Sequence, residues 1–239
     1  MTAPIEIHLV NELNIPDLDW GATVRAQAHH VPLVAAAWNP SQVFNVTGSK
    51  VAVPGAWNIY ATERDPHNHN PRPAGYHTVE NGVPVAYCSL FHSGNRVEGH
   101  DIEPLLNNKT HAQIHGQILT GGLAVTLAHE ISEMIQDPFV KRYSDDPAVG
   151  GTRDGNGFAW LMEICDPVAK SLYAWKDPVT GIEVVLPDFV LPPFYGVKPK
   201  PGVPVKYSQL GAATSAFVKM IGGYAYRRDD KTGANVAVL

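Results

Sequence analysis

The densest chemistry in the chain lies in Thr126-Leu127-Ala128-His129-Glu130-Ile131-Ser132-Glu133-Met134-Ile135-Gln136-Asp137-Pro138. The run contains H-E-x-x-E, one substitution away from the H-E-x-x-H pattern that binds zinc on a helix. His129 and Glu133 are four positions apart, so on a helix they share one face about one turn apart. An imidazole and a carboxylate so placed can grip one metal ion. Glu130 leaves the helix at a different angle, where it can serve as a general base on water without binding the ion.

A metal site that does chemistry needs about three protein ligands and one open position. The third ligand is expected farther along the chain, and Glu163-Ile164-Cys165-Asp166-Pro167 offers Glu163 and Asp166. Either could supply it. Two carboxylates and a neutral imidazole cancel the charge of a divalent ion, which makes it a weaker acid than one held by two imidazoles. Such a site also suits manganese or iron better, although zinc is the expected ion. A further donor to a developing oxyanion is open among Tyr143, Tyr173, Tyr195 and Tyr224.

Bland readings weigh against several neighbours. Asp137 follows Glu133 by one turn, but the helix from His129 to Asp137 would span about 12 Å, too far for a shared ion. Its expected role is structural, bonding the loop after Pro138. His67-x-His69 and His111-x-x-x-His115 read as loop or surface histidines before they read as a second metal site. Cys165 reads first as a small buried hydrophobe. The box itself resists a surface reading. Leu123, Val125, Leu127, Ile131, Met134 and Ile135 make the segment apolar, and acids inside it are costly unless paired or metal-bound.

The elements that must position these groups are legible in outline. Ile5 to Val10 predicts a strand. Asn14-Ile15-Pro16-Asp17 opens a helix whose apolar positions Trp20, Val24, Ala28, Val31, Ala35 and Trp38 recur at helical spacing, with Pro32 expected to kink or divide it. Gln42 to Val53, Ala56 to Glu63 and Val83 to Phe91 predict strands. Asp65 to Gly82, with three prolines and His67, His69 and His77, reads as loop, and Ser93 to Lys109 as polar and irregular. Leu119 to Ile135 forms the box helix, and Pro138 stops it. Beyond it, Tyr143 to Gly157 reads as loop and Phe158 to Cys165 as a strand or short helix. Leu172 to Trp175 and Ile182 to Leu186 flank a hairpin turn. Pro187 to Pro204 reads as a proline-stiffened loop and Ser208 to Ile221 as a short helix, with Tyr224 and Tyr226 alternating in a terminal strand.

With 239 residues, 44 % of them hydrophobic, the chain can bury a sizeable core. The net charge of −5, with no basic run, excludes a nucleic-acid footprint. No apolar run reaches the roughly 18–20 residues of a membrane span. Met1 to Glu6 lacks the basic and apolar regions of a secretory leader. The two cysteines, Cys88 and Cys165, are too few for a disulfide framework. A soluble protein, cytoplasmic by default, is expected, with carriage on a phage particle or release by lysis compatible with the same features.

The box, with Asp137-Pro138 behind it, resembles the S/A-H-E-x-x-E-x-x-x-D-P signature of a group of bacterial and phage proteins. Plant EXORDIUM-like proteins share a similar His-Glu-Leu-Ala-Glu box followed by an acidic-Cys segment, which Glu163-Ile164-Cys165-Asp166-Pro167 matches. Phe189-Val190-Leu191-Pro192 and Gly222-Gly223-Tyr224 resemble later blocks of the bacterial group. The element order of the first half is similar to that of zincin metallopeptidases, whose active-site helix lies under a twisted sheet with a substrate-binding edge strand. The resemblance implies an α+β, zincin-like domain over 1–239. Its sheet, N-terminal helix and active-site helix would occupy 1–138, and a loop-rich subdomain 139–239. It implies a metal-dependent hydrolase, a peptidase acting on peptide or protein substrates through metal-activated water. Glu163 would be the ligand and Asp166 the partner of His129, or the reverse. The competing class is a non-catalytic, metal-stabilised structural or binding protein, phage- or envelope-associated, whose loops contact a protein partner.

Overall fold

Strand β1 (Ile5–Asn11) alternates its side chains, and Ile7 and Leu9 are wholly buried on one face. In the computed structural model, which describes residues 3–13, 15, 17–69, 73–90 and 122–238, β1 lies inside a five-stranded mixed sheet. The other strands are β2 (Phe44–Ser49), β3 (Trp57–Thr62), β4 (Gly75–Glu80) and β5 (Val83–Ser89), in the order β2-β1-β3-β5-β4. Four strands run parallel, and β4 alone runs antiparallel, at the edge. The inward positions Ile7, Leu9, Ile59, Ala61, Ala86 and Cys88 join one core with the helices. On the opposite face Tyr60, Tyr87 and Tyr76 lie in register and pack ring to ring.

The strand at Gly75–Glu80 corrects the expectation of loop across Asp65 to Gly82. Its cause is the turn at its end. Asn81 and Gly82 both adopt positive φ, 51° and 81°, the primed turn that matches strand twist and favours Asn-Gly. The turn closes β4 onto β5 in full register from Gly75↔Cys88 to Glu80↔Val83. Pro66 and Pro73 stay outside the strand.

Helix α1 (Asp17–Trp38) runs through Pro32 without the division that is one of the two outcomes expected there. Pro32 and Ala28, the residue whose carbonyl loses its donor, both lie on the solvent-facing side of the helix. Helix α2 (Ala124–Gln136) carries the H-E-x-x-E box, and all thirteen of its residues are buried. Residues 119–121 of the predicted box helix and the segment Ser93 to Lys109 lie outside the described residues, as do His111 and His115. Ala22 and Ala26 of α1 meet Ala124 and Ala128 of α2 over Val184 and Leu186, so the two helices pack closely through small side chains.

His30 bridges the helices. Ser132 gives its hydroxyl hydrogen to the Ala128 carbonyl, 2.6 Å away, so its oxygen accepts from His30 Nε2 at 3.0 Å. Nδ1 then accepts from the Tyr173 hydroxyl at 3.0 Å. Burial keeps this imidazole neutral, with its pKa lowered to about 3. The unfolded chain takes up a proton near 6.5 that the folded chain refuses. The contribution is therefore intact above pH 6.5 and is lost as pH falls toward 3, at a limiting slope of about 1.4 kcal/mol per pH unit. Urea titrations of wild type and His30→Gln should show wild type ahead at pH 7, with the gap closing as pH falls from 6.5. A gap independent of pH would show that His30 does not titrate this way.

The remainder is loop-rich. Strands β6 (Leu172–Lys176) and β7 (Glu183–Pro187) form the expected hairpin, and β8 (Tyr226–Arg228) pairs with β9 (Asn235–Ala237). Asp177 in the hairpin turn accepts two hydrogen bonds from Arg25 of α1, at 2.8 and 2.7 Å, which ties the hairpin to the first helix. The helix expected over Ser208 to Ile221 does not form. Gly211 and Phe217 adopt positive φ, and the backbone bonds outward, Gln209 to Phe189, Phe217 to Phe194 and Met220 to Pro167. Among the described residues no helix is long and apolar enough to cross a membrane.

Candidate metal centre

Helix α2 turns His129, Glu130 and Glu133 into the interior, where each residue is 3 % exposed. His129 Nε2 lies 3.1 Å from Glu133 Oε1 and 3.0 Å from Asp166 Oδ1. Tetrahedral ligands about 2.0–2.1 Å from one ion are roughly 3.3 Å apart, so each of these two separations from His129 suits a pair of atoms facing one cation. The oxygen of Asp166 is near the imidazole nitrogen yet has no hydrogen-bond partner, as expected of an atom off the N–H axis. The ligand-capable atoms of His129, Glu133 and Cys165 also fall within 4.8 Å of one another.

The segment after α2 builds the other wall. Leu161 and Trp160 form isolated bridges with Tyr143 and Arg227, and Phe158 to Cys165 holds neither a named strand nor a helix before it bends into the turn that follows. A short 3-10 turn at Asp166–Val168 aims the Asp166 carboxylate at His129. The Cys165 amide donates to Glu133 Oε1 at 3.3 Å. The Gly222-Gly223-Tyr224 block fastens over this turn: Tyr224 N–H donates to the Asp166 carbonyl at 3.0 Å and Met220 N–H to that of Pro167 at 2.9 Å. A Cβ on Gly223 would lie 2.2 Å from the Pro167 oxygen, so no larger residue fits there.

Both downstream acids predicted from sequence reach the cluster, in different places. Asp166 shares His129 Nε2 with Glu133. The Glu163 carboxyl instead bonds that of Glu133, and its Oε2 is buried without a partner. Asp137 turns away and accepts the Arg142 amide at 2.6 Å, the structural role expected of it. Of the four tyrosines, Tyr195 spends its hydroxyl on the Glu163 carbonyl, at 3.1 Å. Tyr173 bonds His30 and Tyr143 bonds Asn235. His67 and His69 sit in the loop before β4, packed on Tyr76, with the His69 amide and ring on Asp65. Both cysteines are buried and neither is in a disulfide, and burial pushes the Cys165 thiol well up.

Sequence reading missed His77. It lies on β4, its side chain is buried, and its Nδ1 lies 3.2 Å from Glu130 Oε2 and 4.0 Å from Glu133 Oε2. His77, Glu130 and Glu133 form a second group able to hold an ion. Gly75, two residues earlier on the same strand face, lets β4 approach α2. A Cβ there would meet Thr126 Cγ2 at 2.6 Å and Glu130 Oε1 at 2.7 Å.

Without a cation the cluster is electrostatically expensive. Burial holds the Glu133 carboxyl well above the usual range, and the charges of Glu163 and Asp166 add to that. Burial pushes Glu163 up to about 7. Burial alone would lower His129, but the Asp166 carboxylate overcomes this and raises it to about 9. His77 is raised as well: burial is the largest effect and opposes its charge, but the bond to Glu130 and the nearby charges of Glu163, Glu130 and Asp137 together outweigh it. Among the described residues the arginine ion pairs lie elsewhere, Arg25 on Asp177 and Arg153 and Arg228 on Asp145 and Asp230. The donor set and its buried, unsatisfied oxygens therefore fit a divalent metal ion. No protein-family model, curated protein or solved structure matches the chain.

Proposed function

We propose that the protein is a metal-dependent hydrolase of zincin-like design, a peptidase whose ion, zinc, is held by His129, Glu133 and Asp166. The observation that carries this reading is the convergence of His129, Glu130 and Glu133 on one helix beneath an antiparallel edge strand. The order β2-β1-β3-β5-β4 with α2 packed on β4 suits an extended substrate laid along that edge. Asp166 takes the ligand role because an orienting carboxylate must bond the ring nitrogen that faces away from the ion, and Asp166 faces the same nitrogen as Glu133.

A bound ion supplies Lewis acidity, acidifying water and polarising the scissile carbonyl. Glu130 accepts the proton of the attacking water and passes it to the leaving amine nitrogen. His77 Nδ1 holds Oε2 of that carboxylate, and Gly75 leaves room beside Oε1. The Cys165 amide fixes Glu133 in its ligand orientation.

One observation favours the alternative of a metal-stabilised structural or binding protein: so little of the cluster reaches solvent. Cleavage decides between them. Protein stripped with chelator and reloaded with one equivalent of zinc should cut members of a library of unstructured peptides, and chelator should stop it. Fully loaded protein that cuts no peptide with zinc, manganese or iron would transfer the metal to the structural role.

A further inference from the structure

We propose a second divalent-cation site, formed by His77, Glu130 and Glu133, with the Glu133 carboxylate bridging it to the ion at His129. The inference rests on the first ion being held as proposed above.

Glu133 lies between two imidazoles and turns a different oxygen to each. Oε1 faces His129 Nε2 at 3.1 Å, and Oε2 faces His77 Nδ1 at 4.0 Å. Each imidazole has a further carboxylate beside the same nitrogen, Asp166 at 3.0 Å in one half and Glu130 at 3.2 Å in the other. The cluster is thus two similar halves joined through one carboxylate, the arrangement by which two-metal centres hold ions about 3.5–4 Å apart. The ligand-capable atoms of the second half fall within 4.8 Å of one another.

Two independent observations point to a cation here. Glu163 Oε2 is buried without a partner, although its carboxyl group lies against Glu133 and near His77. Charge points the same way. Glu130, Glu133, Glu163 and Asp166 bring four negative charges when ionised. One divalent ion with neutral imidazoles leaves two of them in a buried site, and two ions leave none. Carboxylate-rich donors with one imidazole suit manganese as well as zinc. Glu130 works as a base while this half is empty and becomes a ligand, through Oε2, when it fills.

Manganese alone is the probe. Chelator-stripped protein titrated with Mn2+ should bind two ions per chain by metal analysis. At two equivalents its EPR spectrum should show exchange coupling instead of the six-line signal of isolated ions. His77→Ala should bind one ion with an uncoupled spectrum, and Glu133→Ala should lose at least tenfold in affinity at both halves. The wild-type spectrum needs no variant to fold. A single ion in wild type, or two ions without coupling, overturns the second site and leaves the hydrolase to its own cleavage assay. No ion at all overturns both readings. Two coupled manganese ions, in a protein that cuts nothing when loaded with one equivalent of zinc, overturn the hydrolase alone.

Discussion

Glu130→Gln, loaded with one equivalent of zinc, should keep the ion at His129 and cut peptides at least about 10³-fold more slowly than wild type. General acid–base groups contribute about 10²–10⁴-fold, and the amide is nearly the same size but cannot take up the proton. The substitution leaves His129, Glu133 and Asp166 untouched, so zinc content separates a chemical defect from a lost ligand. The Gln amide can still lie beside His77, 3.2 Å from the present Oε2, so folding should be preserved. The loss should fall on kcat, because the base acts in the transition state more than in binding. If the variant matches wild type across the peptide library while carrying the same zinc, Glu130 is not the base and the peptidase reading loses its central residue.

Chelation should lower the melting temperature by about 8–16 °C. Free ion at roughly a thousand times its Kd stabilises the folded state by about 4 kcal/mol, and each kcal/mol is worth about 2–4 °C in a chain of this size. The effect should grow with pH. In the metal-free fold Glu163 keeps a proton up to about pH 7 that the unfolded chain releases near 4.5, and His129 keeps one up to about pH 9. Both pKa values are raised by folding. Their contribution is complete below the unfolded values and is lost as pH rises through the folded ones. Chelated protein should therefore weaken from pH 5 to pH 9 while loaded protein does not. Glu133→Gln separates the two effects: it removes a buried acid whose ionisation the fold opposes, so it should melt above chelated wild type and below loaded wild type, and zinc should not move it. Calorimetry with and without chelator at pH 5, 7 and 9 reads all three. A melting temperature indifferent to chelator at every pH would exclude a structural ion.

The two predictions rest on residues of unequal legibility. Spacing alone placed His129, Glu130 and Glu133, because helical geometry is local and acids inside an apolar run demand a partner. Asp166 and Glu163 were legible as candidates, since an acidic segment after the box was required by ligand count. Their separate placements were not, because these depend on the turn at Asp166–Val168 and on Gly223 closing over it from far along the chain. His77 escaped entirely. Its partner Glu130 is 53 residues away, and three prolines ahead of it suggested loop. The signal was nevertheless present: Tyr76, Thr78 and Val79 are strand-forming residues and Asn81-Gly82 is a hairpin turn, and together they outweigh prolines that lie before the strand begins. The unbroken α1 teaches the complementary lesson, for a proline on a solvent-facing turn of a helix need not end it.

Helix α2 is buried along its whole length. Such a helix has no side on which a substitution is silent, so most random changes within it will be lost as misfolded protein before any effect on chemistry can be selected. Laboratory evolution of new specificity should accordingly spare residues 124–136 and diversify the edge strand on either side of His77, where half-buried positions tolerate variation while still bordering the reacting groups.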